Sequence, residues 1–294
     1  MSPPTVPRRA PRGAFWRAGS SVVMGLTGLL GKGFLYGLNR VHLEGYGDFL
    51  EVLEKRKHEG RKRGLLTASN HTSVLDDPII WGVLPLRYVF DPWNLRWSLG
   101  AQDICFKNKA STVLSQPICC VHQHPTSSLR YFKWGIARLI LESDPTPDFV
   151  PMFIDGLQRV MPENRSFPRF LPRVGKDITV AFGEQVDVPE IFGELVERWR
   201  KVRHLVGPVA AGTAARDLSP LEPPEGVDAE VWREVVEVRI ETARRVRVEV
   251  LKLRRSLGYP DDDEKLGLAE TWKREKLEGP RKTTLGGQHV SSKR

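Results

Sequence analysis

The stretch Ala68–Pro78, A-S-N-H-T-S-V-L-D-D-P, decides how the chain is read. It holds an imidazole at His71 and a carboxylate at Asp76, five residues on. Ahead of it, Gly64–Ser69 (G-L-L-T-A-S) is a compact apolar run behind a basic loop, and it predicts a short buried strand. Behind it, Asp77-Pro78 is an acidic cap with proline at a first helical position, which predicts a helix over Ile79–Val83. His71 then falls in the turn between strand and helix, and Asp76 just ahead of the helix. Such a turn can fold the carboxylate onto one ring nitrogen of His71, fixing the tautomer and making the other nitrogen a better base. No serine or cysteine nucleophile is needed if the hydroxyl that gives up its proton belongs to a substrate. A His near an Asp is also an ordinary turn or capping arrangement, and spacing alone does not separate the two.

Toward the N-terminus, Val41–Leu53 reads as a short strand (V-H-L-E-G) and then a helix, and Glu54–Arg63 as a charged loop. Ser20–Leu38 is the most hydrophobic stretch, long enough to span a bilayer yet holding Lys32 and five glycines. Arg17, Ser21, Gly25, Gly28 and Lys32 recur at helical spacing as a small or polar stripe, with Val22, Val23, Leu26, Leu29 and Leu30 largely elsewhere. That pattern predicts a helix lying in a membrane interface or entering one leaflet, the alternative being a glycine-rich core helix. Met1–Arg17 carries four arginines, four prolines and no acid. This is part of a mitochondrial targeting composition, opposed by the prolines, and equally that of a disordered basic tail.

Toward the C-terminus, Ile79–Trp97 interleaves Trp81, Tyr88, Phe90, Trp93 and Trp97 with Arg87 and Arg96. These residue types settle at lipid headgroup level, and the same mixture also makes ordinary core with snorkelling arginines. Asp103–His124 has no clear periodicity, and His122 and His124, followed by Pro125, read as a loop rather than a metal site. Tyr131–Glu142 predicts a helix with Phe132, Ile136, Leu139 and Ile140 on one face. Phe149–Ile154 predicts a buried strand whose Pro151 suggests an edge or an interruption. Met161–Arg173 reads as a Pro- and Arg-rich loop, Asp177–Phe182 as a strand and Glu190–Leu205 as a helix. Val227–Leu257 is a long helix opened by Asp228 and closed at Gly258, its valines and arginines reading as packing or partner surface.

A chain of 294 residues with 40% hydrophobic and 28% charged residues is long enough for one sizeable core plus appendages. A formal charge of +9 and a pI of about 9.6 call for an anionic partner. Nucleic acid and an anionic membrane surface both fit that balance; without zinc-finger spacing or a compact basic-aromatic RNA-binding signature, the membrane leads. The odd count of cysteines (Cys105, Cys119, Cys120), with one vicinal pair and no C-x-x-C, reads as free thiols.

N-H-x-x-x-x-D at Asn70–Asp76 resembles the first signature of the glycerolipid acyltransferases. The flanks narrow the resemblance to the tafazzin family: S-S-V-V-M-G-L (Ser20–Leu26), N-H-T-S-V-L-D-D-P (Asn70–Pro78), L-R-W-S-L-G-A-Q-D-I-C-F (Leu95–Phe106), R-Y-F-K-W-G-I-A-R-L-I-L-E (Arg130–Glu142), V-P-M-F (Val150–Phe153) and P-R-F-L-P (Pro168–Pro172). It covers about Phe15–Val186. The resemblance implies an α/β fold, a mixed sheet flanked by helices, with an N-terminal membrane-interface helix; the residues beyond the matched stretch read as a C-terminal helix plus disordered tail. The resemblance also implies a membrane-bound phospholipid–lysophospholipid transacylase that remodels cardiolipin and other phospholipids without cofactor or metal. His71 would be the general base and Asp76 its orienting partner, with Asn70 and Asp77 as close supports. Arg87, Trp93, Arg96, Trp97 and Lys133 would meet substrate or membrane. Partners would be phospholipid and lysophospholipid on an anionic membrane surface, with no nucleic acid. The site would lie on mitochondrial membranes, on the inner membrane facing the intermembrane space or on the outer one, in a monotopic protein.

The sequence departs from the family pattern in one place. Family members are expected to carry a glycine-plus-arginine block and then a strand ending in F-P-E-G, whose arginine and glutamate bind the glycerol phosphate. Here the chain passes from about Ser115 through Cys119-Cys120 into Val121–Pro125 with neither block, as an internal deletion would leave it. The expected organisation is a basic tail at 1–19, the interface helix at 20–40 and an acyltransferase domain at 41–206, shortened near 115–121. A linker at 219–226, a C-terminal helix at 227–258 and a disordered tail at 259–294 follow. Two alternatives follow from the departure and the superfamily: an inactive membrane-binding relative, and an acyl-CoA-dependent lysophospholipid acyltransferase.

Overall fold

The computed structural model describes residues 13–73, 75–94, 128–162, 171–206, 223 and 225–268. Arg96, Trp97, the three cysteines, His122, His124 and the seam at 115–121 lie outside the described residues, as do most of the Met161–Arg173 loop and of the linker.

The sheet is built around β3 (Asp148–Asp155), whose run D-F-V-P-M-F-I-D is buried at every position after the first. Such a run suits a strand covered on both faces. β3 pairs in parallel with β2 (Leu65–Ala68), from Leu65 opposite Asp148 to Ala68 opposite Pro151. On its other side it pairs antiparallel with β4 (Asp177–Phe182), from Met152 opposite Phe182 to Asp155 opposite Thr179. β4 pairs in parallel with β1 (Arg40–Glu44), giving a mixed sheet in the order β1-β4-β3-β2.

Pro151 therefore stands in an interior strand and not at an edge, and the interruption it imposes is local. Its carbonyl accepts from the Gly183 amide at 2.9 Å, so its ring nitrogen faces the same side, where regular pairing with β4 has stopped at Met152. Contact on that side resumes only as an isolated bridge between Phe149 and Val186. The missing N–H falls in that gap, so no ladder bond is lost to it.

Helices cover both faces. Val150, Met152, Ile154, Ile178, Val180 and Phe182 point into one cluster with Leu35, Phe49, Ile80 and Leu84. These come from α1 (Ala14–Leu38), α2 (Tyr46–His58), α3 (Asp76–Ile80) and the chain just after it. Leu66, Ala68, Phe149, Phe153 and Ala181 point into the other, against α5 (Trp134–Glu142), α7 (Val188–Val202) and α8 (Ala229–Ser256). Two single-turn helices, α4 (Leu86–Val89) and α6 (Leu157–Val160), follow α3 and β3. The Asp187 carboxylate caps α7 through the Glu190 amide, and Asp228 caps α8 through the amides of Glu230 and Val231.

Several boundaries differ from expectation. α1 begins at Ala14, inside the stretch read as a tail, and α2 runs on to His58 through residues read as a loop. The α-helix after the motif opens at Asp76 itself and gives way to a 3-10 turn at Trp81–Val83. Leu139, expected on the packed face of α5, is exposed; Ile136, Ala137, Ile140 and Leu141 are buried there. The start of the C-terminal tail is docked. The Tyr259 ring meets Phe153 edge-on at 4.9 Å, and Asp262 accepts from the Leu129 amide at 2.7 Å while Arg247 stands 3.4 Å away. A run dense in charge reads as tail because its buried partners lie far off in sequence.

Candidate active site

The site forms where β2 ends. Asn70, in the first turn beyond the strand, continues the pairing of β2 with β3 through its side chain. Its amide donates to the Ile154 carbonyl at 2.7 Å, and its carbonyl accepts from the Ile154 amide at 2.8 Å. A buried asparagine thus satisfies both backbone groups of a residue whose neighbour on the β2 side has run out. His71 follows, fixed at the carboxyl end of the parallel pair, the edge where open α/β sheets place their sites.

Asp76 closes the turn from the other side. Its Oδ2 accepts from the amides of Thr72 and Ser73, the latter at 2.9 Å, while its Oδ1 accepts from the Thr72 hydroxyl at 3.2 Å. The Asp76 amide donates back to the Ser73 carbonyl at 3.0 Å. The same Oδ2 lies 2.9 Å from His71 Nδ1, with both side chains largely buried. This orients Nδ1 as donor and leaves Nε2 as the free lone pair. Nε2 is closed off from solvent and has no hydrogen-bond partner among the described residues. A buried acceptor left unmade costs about 1–3 kcal/mol, which an incoming hydroxyl would recover.

Other residues singled out in the sequence are dispersed. Asp77 is half-buried and makes no hydrogen bond or ion pair among the described residues. Arg87 is exposed, 3.4 Å from Glu54 and stacked over the Tyr88 ring at 5.0 Å. Trp93 is exposed, and Lys133 is exposed at the N-cap of α5. Thr72 and Ser73, unremarked within the quoted motif, supply the amides that hold Asp76. Their signal was the spacing itself, since an aspartate three to four residues after a Thr-Ser pair can cap their amides. Among the described residues no group of three or more His, Cys, Asp or Glu side chains is placed to hold a metal.

α1 frames the site from outside. It is long and apolar enough to cross a membrane by length and composition, with 22% of its most apolar window buried. Gly25, Gly28, Gly31 and Leu35 are buried, Gly25 facing the Phe90 ring and Gly28 facing Val89. Val22, Val23, Leu26, Leu29 and Leu30 point outward and are exposed, as are Phe90 and Trp93 nearby.

No protein-family model matches the chain. It is 29% identical to the tafazzin of Saccharomyces cerevisiae, across 91% of this chain and 85% of the yeast protein. It is 28% identical to the tafazzin of Drosophila melanogaster, across 65% of this chain and 58% of the fly protein. It is also 32% identical to the N-acylphosphatidylethanolamine synthase of Arabidopsis thaliana, across 42% of this chain and 57% of the plant protein. The yeast alignment runs over 342 residues against a chain of 294, so the yeast protein holds stretches without a counterpart here.

Proposed function

Since the chain belongs to the tafazzin family of acyltransferases, we propose that it moves an acyl group between phospholipids, with His71 as general base. One observation carries this reading: Nδ1 of His71 is held 2.9 Å from Asp76 Oδ2 while the opposite nitrogen is buried and has no partner among the described residues. The free hydroxyl of a lysophospholipid gives its proton to Nε2 as its oxygen bonds to the ester carbonyl carbon of the donor lipid. Asp76 supports the imidazolium that forms. Collapse of the tetrahedral adduct breaks the donor's ester bond, and the departing glycerol oxygen takes the proton back from Nε2. Bonds and protons balance without metal or acyl-CoA. General-base assistance of this kind contributes about 10²–10⁴-fold in rate.

The acyltransferase unit is taken as residues 41–206, with Asn70 and Asp77 as supports and Arg87, Trp93, Arg96, Trp97 and Lys133 toward lipid. α1 supports a monotopic placement. Its glycine edge is covered by protein, so a full span would carry α3 and α4 into hydrocarbon with it. Its apolar outward face and the +9 charge suit an anionic membrane surface, and mitochondrial membranes, where cardiolipin is remodelled, are the proposed location.

A second reading is favoured by the sequence itself. Without the F-P-E-G block the chain retains its dyad but lacks the groups expected to hold glycerol phosphate, as an inactive membrane-binding form would. Purified protein, lysophosphatidylcholine and cardiolipin separate the readings, with acyl transfer followed by mass spectrometry. Transfer that falls at least a hundredfold in His71→Ala is the expected result. Wild-type protein that binds these vesicles and transfers nothing establishes the inactive form, and transfer only when acyl-CoA replaces cardiolipin establishes a CoA-dependent enzyme.

A further inference from the structure

The place where α1 meets the chain just after the dyad is unusually tight. α1 and the segment Ile79–Gly82 touch backbone to backbone, with no side chain between them. A methyl group built on Gly82 would stand 2.4 Å from the Lys32 amide nitrogen and 2.5 Å from the Gly31 carbonyl carbon. One built on Gly31 would stand 3.1 Å from the Ile79 carbonyl oxygen and 3.5 Å from the Gly82 Cα. Ile79 lies in α3, three residues after Asp76, and its amide donates to the Leu75 carbonyl at 3.1 Å. α3 has only five residues, and its N-cap Leu75 supplies no side-chain hydrogen bond. A helix this short is not stable by itself and takes its position from what it packs on. Its buried neighbours are α1 on one side and the sheet on the other.

We propose that Gly31 and Gly82 are positioning residues: their close contact makes α1 the buttress that sets α3, and through it the Asp76 carboxylate, against His71. The contact depends on hydrogen alone at both positions, so any side chain at Gly82 separates the two backbones. The consequence reaches the dyad because Asp76 opens the helix being displaced. Misplacement of about 1 Å at a reacting centre costs about 10²-fold in rate, so a shift of a few tenths of an ångström is expected to be felt severalfold. This rests on the proposed acyl transfer for its kinetic readout, and on nothing but the dyad geometry for its spectroscopic one.

Gly31→Ala is the informative variant, because its methyl group asks the neighbour to yield without forcing the backbones apart; Gly82→Ala is the severe one. Gly33→Ala is the control, on the same helix with nothing within 4 Å of the added carbon. The full-length protein is assayed with lysophosphatidylcholine and cardiolipin vesicles, and vesicle partition is measured in parallel. The downfield proton resonance of the His71 Nδ1–H, assigned by its loss in His71→Gln, is followed by NMR. The expected result for Gly31→Ala is a kcat lowered three- to tenfold, KM and partition within twofold of wild type, and a displaced resonance. Gly33→Ala keeps all four. An unmoved resonance in Gly31→Ala, whether activity is kept or falls together with vesicle partition, overturns the proposal and leaves α1 as an anchor alone. A displaced resonance in a protein that transfers no acyl group even as wild type upholds the buttress and overturns the enzymatic reading instead.

Discussion

His71 and Asp76 share a contact but not a role, and the difference is measurable apart from any activity. Asp76 accepts from two backbone amides as well as from the imidazole, all in buried surroundings. Truncating it in Asp76→Ala orphans the amides of Thr72 and Ser73, and a buried donor without a partner costs about 1–3 kcal/mol. His71 spends one nitrogen on Asp76 and, among the described residues, satisfies nothing with the other. The expected outcome is that Asp76→Ala loses about 2–4 kcal/mol of stability in urea unfolding, and His71→Ala less than about 1. Equal losses would mean that the imidazole is as much a part of the turn as the carboxylate is. This pair was legible in the sequence because it is local: five residues and a turn bring the groups together. The partner of Asn70 was not, since nothing in N-H-x-x-x-x-D names a backbone amide 84 positions away.

Among the elements, a clean hydrophobic period gave the type directly, and where distant packing sets the environment two readings stayed open. Asp177–Phe182 alternates and is a strand at those bounds, whereas Pro151 pointed equally to an edge or an interruption, and is the latter, because sequence cannot say where a ladder pauses. α8 is the sharper case. Its valines and arginines read as packing or partner surface without a choice between them, and packing holds for Arg239, Arg247 and Arg254, buried with Trp232, Val235, Val238 and Val246. Arg239 is 1% exposed, lies over the Trp199 ring at 4.9 Å, and makes no hydrogen bond to a described residue with any of its three nitrogens. Its nearest carboxylate, on Glu142, is 3.6 Å away, and burial pushes its pKa below the ordinary guanidinium range. A buried charge so weakly compensated is often neutral or better when replaced by an apolar group of like volume. Arg239→Met is accordingly expected to hold or raise the thermal midpoint. A loss above about 2 kcal/mol would show that the stacking between guanidinium and indole outweighs desolvation.

Over the whole molecule, charge and apolar surface act on the same encounter with different reach. On the proposed membrane placement, the formal charge of +9 would draw the chain to an anionic surface over a distance that salt shortens to about 8 Å at physiological ionic strength. Holding it there would fall to the outward face of α1, where Leu26 is 52% and Leu30 76% exposed. Burying a leucine side chain is worth about 1.5–3 kcal/mol, so the two together account for about a hundredfold or more in partition. The stripe of small residues was legible in the sequence, but which side faced protein was not, because periodicity is blind to the partner. Leu26→Asp with Leu30→Asp in one chain touches none of the buried glycine edge, so the fold and the thermal midpoint are expected to be kept. Flotation with phosphatidylcholine–cardiolipin vesicles is expected to fall at least a hundredfold in this double variant. Raising salt on the wild-type protein should weaken binding far less, since apolar insertion is not screened. If salt releases the wild type as completely as the two aspartates do, attachment is electrostatic throughout and the outward face of α1 does not enter the lipid.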